Sequence, residues 1–224
     1  MPRRARQAPG DLVYHVLNRA VGRMRIFSKP ADYAAFQEVL VEAHQRHPVR
    51  MLGYCLMPNH WHLVLWPRVE GELSKFMHWL TMTHTQRWRH YRGLVGLGPL
   101  YQGRFKSFPI QTDLSLLIVL RYVERNPLRA KLVLRAQDWV PSSLHDRLGE
   151  RSPLHDILCE WPIDMPRKYL DLVNQPQTAA EEEAVRTSVR RGRPFGTPGW
   201  QHSMVDRLGL QSSVNAPHRP SREK

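Results

Sequence analysis

Two β-forming runs, residues 49–57 and 61–66, meet across Met57-Pro58-Asn59-His60, and this pair constrains the fold more tightly than any other stretch. Proline and asparagine are turn formers, so a short turn between two apolar runs reads as an antiparallel hairpin. Residues 12–19 are rich in β-formers and read as a first strand, with Tyr14, Val16 and Asn18 sharing one face. Behind Pro30, a good first helical residue, Tyr33, Phe36, Val39, Leu40 and Ala43 recur at helical spacing and predict a helix over residues 30–47. A second stripe of Leu73, Phe76, Met77, Leu80, Trp88 and Tyr91 predicts a long helix over residues 71–91.

The glycine-rich run GLVGLGP at residues 93–99 is a loop or lid, and residues 100–111 form a fourth strand candidate. Asp113 is placed to cap a helix running through Leu114, Leu117, Ile118, Arg121 and Tyr122, which Pro127 should end or kink. The order strand, helix, strand, strand, helix, strand, helix specifies an α+β split βαβ sandwich: an antiparallel sheet with helices on one face.

After residue 136 the periodicity weakens. Short helices are expected near residues 152–160 and 166–174, then one over 181–191 with acids in its first turn and arginines in its last. The end of the chain is polar and proline-containing, expected to be flexible after about residue 212. Three parts result: a basic arm at 1–11, a main domain at 12–136, and a helical and irregular C-terminal extension with a basic tail at 137–224.

Lysine and arginine outnumber aspartate and glutamate 33 to 20, a formal net charge of +13 that favours a polyanionic partner. The two cysteines, Cys55 and Cys159, make neither a disulfide framework nor a CxxC zinc site and suit a reducing compartment. The N-terminus has no apolar run behind its basic residues, and no stretch of about eighteen apolar residues occurs. A cytoplasmic protein without a membrane span is expected.

Chemistry centres on Asn59-His60-Trp61-His62. On a strand, His60 and His62 project from one face about 7 Å apart, close enough for both imidazoles to converge on one metal, while Trp61 points the other way. The same pattern also fits two polar residues on a half-exposed strand. A third ligand has to come from elsewhere, and Tyr122 and Asn126, four residues apart, share a helical face with Cβ atoms about 5 to 6 Å apart. Local evidence alone favours Asn126 as a cap before Pro127 and Tyr122 as a packing residue.

Taken together, YHVLNR at residues 14–19, YCLMPN followed by HWH, YQGRFKSFPI at 101–110, YVERNPLRA at 122–130 and the tail VRRGRPFGTPGW resemble the REP-associated tyrosine transposases, members of the HUH class of single-strand nucleases. The resemblance spans most of the chain, and Trp61 fills the bulky apolar position of HUH. It implies a ferredoxin-like catalytic domain, a divalent cation held by His60, His62 and Asn126, and Tyr122 as nucleophile. The implied reaction is cleavage of hairpin-forming repeat DNA through a 5′-phosphotyrosine intermediate, followed by strand joining. Bond energy is conserved, in keeping with the lack of a GxxxxGK[ST] loop. Imidazole ligands tolerate Mn²⁺, and availability favours Mg²⁺.

The partner implied is single-stranded and hairpin DNA, with Arg3, Arg4, Asn18, Arg19, Arg104 and Lys106 as expected contacts and exposed aromatics as stacking platforms. Relatives often have glycine after Asn-Arg where this chain has Ala20, and Gly192-Arg193-Pro194 resembles a minor-groove hook. Either a monomer or a homodimer is compatible with the sequence. Two other readings stand beside the transposase: a non-catalytic hairpin-binding regulator, and a metal hydrolase that uses water as nucleophile.

Overall fold

A computed structural model describes residues 8–149 and 152–215; Arg3 and Arg4 of the basic arm lie outside them. Among the described residues, β1 (Val13–Arg19), β2 (Arg50–Met57), β3 (His60–Trp66) and β4 (Lys106–Ile110) form one antiparallel sheet in the order β2-β3-β1-β4. Helix α1 (Pro30–Arg46) follows β1, and α2 (Glu72–Tyr91) follows β3. This is the expected ferredoxin-like βαββαβ arrangement, with the predicted hairpin as its β2-β3 half.

Strand pleating sorts the side chains into two cores. Tyr14 and Val16 of β1 and Trp61, Leu63 and Leu65 of β3 point towards α1 and α2, packing on Phe36, Leu40, Phe76 and Leu80. Val13, Val64, Phe108 and Ile110 point the other way, onto Leu116, Val119, Leu120 and Val123 of α3 (Leu114–Glu124). The crossover helices α1 and α2 thus share one face as predicted, but the opposite face is covered as well. Its strands are apolar on both sides, and such a sheet cannot leave one side in water without exposing that area.

The fourth strand is shorter than the 100–111 expected. Tyr101 makes only an isolated bridge to Ala20, and the chain turns through Gly103 before pairing begins at Lys106. Asp113 caps α3 as predicted, accepting from the Ser115 amide at 2.7 Å. Pro127 acts as expected too: α3 stops at Glu124, and α4 (Asn126–Arg129) restarts beyond Arg125 with the proline in its first turn, where its missing N–H is harmless.

In the extension, α5 (Ser143–Leu148) begins at a Ser142 cap that sequence periodicity did not reveal, because six residues are too few to show a stripe. The helix expected near 152–160 is a single 3₁₀ turn, His155–Ile157. Helices α6 (Tyr169–Asn174) and α7 (Ala179–Arg191) match expectation, α7 opening on a Thr178-Glu181 capping box. The region read as polar tail contains α8 (Pro198–Arg207) and α9 (Gln211–Val214). At the β2 bulge, a Cβ on Gly53 would sit 2.9 Å from Leu120 Cδ2, so glycine there lets α3 lie close on the sheet.

Candidate active site

Because β3 alternates, His60 and His62 lie on the α3 face with ring centroids 5.0 Å apart, while Trp61 is sealed in the opposite core and donates its indole N–H to Tyr101 Oη at 3.0 Å. The Tyr122 ring stands edge-on to His62, centroids 6.2 Å apart. One turn later, past the Arg125 break, Asn126 reaches the same place. The two histidines, Tyr122, Asn126, Arg19 and Arg129 line one cleft of about 200 Å³. The structure thus assembles all four residues that the sequence suggested for metal and nucleophile.

Each histidine is held through Nδ1. His60 Nδ1 lies 2.6 Å from Asn59 Oδ1, a pure acceptor, so that nitrogen carries the proton and Nε2 keeps its lone pair. His62 Nδ1 lies 2.8 Å from Nε2 of His15, a wholly buried imidazole on β1, and His62 Nε2 is buried without a partner. Burial drives the His60 pKa down to about 3, with the Arg19 and Arg129 charges adding to the effect. Burial also takes His62 well below its ordinary range, and His15 falls to about 3. All three rings are neutral at physiological pH, the state a metal ligand requires.

Asn126 is no helix cap: its Oδ1 accepts from Arg129 Nη2 at 2.6 Å, and its Nδ2, also buried, has no partner. The oxygen retains a second lone pair. Among the described residues, no group of three or more His, Cys, Asp or Glu side chains is arranged to hold a metal ion. The donor set is therefore two imidazole nitrogens and an amide oxygen, and the orphaned His62 Nε2 is an atom that a cation would satisfy.

Arg129 is the residue that sequence reading missed. Its guanidinium lies 4.2 Å from the Tyr122 ring centroid while bonding Asn126, so it touches nucleophile and amide candidates at once. The signal was present, since Arg129 is three residues after Asn126 and seven after Tyr122, on the same helical side. Of the expected DNA contacts, Arg19 lines this cleft. Asn18 and Arg104 instead meet in a separate, larger groove of about 580 Å³ beside Thr81 and Phe105. Lys106 is exposed at the start of β4, opposite Leu17. The tail segment with Gly192-Arg193-Pro194 docks on the sheet: Phe195 pairs with Ile110, and Arg193 Nη2 donates to Gln201 Oε1 at 2.8 Å.

The helix bearing Tyr122 is fastened to the extension. Glu124, fully buried, accepts from Ser143 Oγ at 2.7 Å and from Tyr169 Oη at 2.6 Å, and burial raises its pKa despite those two donors. Arg121 donates to the Gln175 and Pro176 carbonyls, and Arg125 to those of Val173 and Asn174. Three side chains around the tyrosine thus fix its height above the histidines.

No curated protein matches the chain. Among solved structures, a REP-associated tyrosine transposase bound to a REP hairpin is similar in fold, with a TM-score of 0.53 at 18% identity over 74% of this chain and 94% of the other. A protein from Deinococcus radiodurans, provisionally described as a transposase, matches at a TM-score of 0.40 and 13% identity over 58% of this chain and 92% of its own. The family described as "Transposase IS200 like" matches residues 10–126, a span that contains every strand of the sheet, the histidine pair, Tyr122 and Asn126. The chain belongs to the IS200-like transposase family.

Proposed function

We propose that this transposase is a single-strand DNA endonuclease and strand transferase acting on hairpin-forming DNA, with Tyr122 as nucleophile and a divalent cation, Mg²⁺ or Mn²⁺, held by His60, His62 and Asn126. The observation that carries this reading is the convergence of those four side chains, from β3 on one side and α3-α4 on the other, in one cleft rimmed by Arg19 and Arg129. A bound cation would supply Lewis-acid stabilisation of charge on the scissile phosphate.

The chain's own groups do the rest. The Tyr122 hydroxyl oxygen attacks phosphorus, and the bond from phosphorus to the 3′ oxygen breaks. A 5′-phosphotyrosine and a free 3′-OH result, the phenol losing a proton and the departing oxygen gaining one. Attack of a 3′-OH on the phosphotyrosine reverses the step and joins strands without ATP. Arg19 and Arg129 place guanidinium groups where a phosphate must enter, and the net charge of +13 attracts the DNA. A hairpin substrate is favoured by the fold shared with a protein solved on such a hairpin.

The test is a labelled hairpin bearing a single-stranded foot, incubated with Mg²⁺ or Mn²⁺ and run on a denaturing gel. Wild type should give a covalent protein–DNA adduct, and Tyr122→Phe none. An adduct that persists in Tyr122→Phe overturns the nucleophile. Cleavage without an adduct assigns the attack to water, and binding without cleavage assigns the chain a non-catalytic role.

A further inference from the structure

The His15 imidazole fills a place where an apolar side chain would pack as well. It is wholly buried on β1 between the Phe108 ring, centroid 4.9 Å away, and the His62 ring, centroid 5.0 Å away. Register explains the contact: Leu17 is opposite His62, so His15 is the diagonal neighbour, within reach of a side chain of this length. The arrangement is expensive in polar terms, because His15 Nδ1 is buried without a partner. What His15 gains is one bond, from its Nε2 to His62 Nδ1 at 2.8 Å.

That bond contains one proton, and its side decides the chemistry of His62. With the proton on His15 Nε2, His62 Nδ1 is the acceptor, Nε2 carries the remaining proton, and no lone pair faces the cleft. With the proton on His62 Nδ1, His62 Nε2 has its lone pair free, and this is the buried atom that lacks a partner. Asn59 Oδ1 does the same for His60. Both imidazoles are thereby oriented from behind through Nδ1, leaving Nε2 for the cleft.

We propose that His15 is a positioning residue of the metal site, its Nε2 accepting the Nδ1 proton of His62 and so holding His62 Nε2 as a ligand. This rests on the reading of His60 and His62 as ligands. It explains why an imidazole occupies a sealed position on β1, behind the cleft that Leu17 and Arg19 of the same strand line. A hydrogen-bond acceptor behind a ligating histidine fixes both tautomer and ring orientation, and its loss typically weakens metal binding by about 10- to 100-fold.

The experiment is a Mn²⁺ titration of the full chain followed by electron paramagnetic resonance, on wild type, His15→Phe and His15→Gln. His15→Phe should bind Mn²⁺ about 10- to 100-fold more weakly. His15→Gln, whose Oε1 can accept the same proton, should recover most of the affinity. Because His15→Phe can also disturb the core, a second measurement uses only wild type: ¹⁵N-histidine NMR with Zn²⁺ bound, in which His62 should carry its proton on Nδ1. Equal binding by wild type and His15→Phe, no recovery in His15→Gln, or a His62 proton on Nε2 with Zn²⁺ bound overturns the inference alone. Failure of wild type to bind either cation overturns the ligand reading and this inference with it.

Discussion

The Arg129 guanidinium lies over the Tyr122 ring, 4.2 Å from its centroid, and the same group donates to Asn126 Oδ1 at 2.6 Å. One cation therefore holds the proposed nucleophile and the proposed amide ligand in a fixed relation. A planar fork can stack and donate at once, which an ammonium cannot. Arg129→Ala should slow single-turnover hairpin cleavage by about 100-fold, equivalent to ~2.7 kcal/mol of barrier, with Arg129→Lys intermediate. Rapid-quench kinetics at saturating Mn²⁺ read this. Wild-type rates in Arg129→Ala would remove Arg129 from the reaction and leave it a packing role.

Four neutral histidines, His15, His62 and His84 buried and His60 half-buried, make the fold acid-labile, and the sign follows from where each proton binds. Burial lowers His15, His60 and His84 from 6.5 to about 3 and takes His62 well below 6.5 as well, so the unfolded chain binds protons that the folded chain refuses. Stability is fully present above about pH 6.5 and is lost as pH falls towards 3. His84 tests this away from the cleft. Trp61 donates to Tyr101, whose hydroxyl donates in turn to His84 Nδ1 at 2.6 Å, so His84 is an acceptor in the α1-α2 core. In His84→Gln, which keeps an acceptor but cannot titrate, urea-unfolding stability should fall less steeply, by about 1.4 kcal/mol per pH unit within that window. Parallel wild-type and variant profiles would show that His84 takes no part in the acid transition.

The histidine pair was legible because a strand's period of two dictates that HxH shares a face. The hairpin was legible because its turn is written in Pro58-Asn59. Tyr122 and Asn126 could be seen to share a helical side, but nothing local says which sheet face that side covers. That depends on α3 crossing to the face opposite α1 and α2, a long-range packing outcome. His15 was invisible as a partner of His62 because the contact runs across strand register, 47 residues apart. The extension's short helices carry too few turns for periodicity, so their roles emerge only from what they touch, as Ser143 and Tyr169 do at Glu124.

Both open edges of the sheet are occupied by the C-terminal extension. On β2, the Leu56 amide donates to the Pro141 carbonyl at 2.9 Å and the Cys159 amide to that of Met51 at 2.8 Å, while the Trp139 and Trp161 indoles donate to the Leu56 and Leu52 carbonyls. On β4, the Phe195 amide donates to the Pro109 carbonyl and the Gln111 amide to that of Phe195, each at 2.9 Å. An uncapped edge offers the same groups to another chain. Truncation after Arg191 frees the β4 edge and should raise the mass measured by light scattering as concentration increases. Phe195→Ala keeps the backbone bonds and loses only the ring packed near Phe108, centroids 6.4 Å apart. It should leave the mass unchanged and lower stability by about 2–4 kcal/mol, somewhat less than a fully enclosed phenylalanine. Should the truncated chain keep the full-length protein's association state at every concentration, the Phe195 segment is not what keeps the β4 edge from pairing.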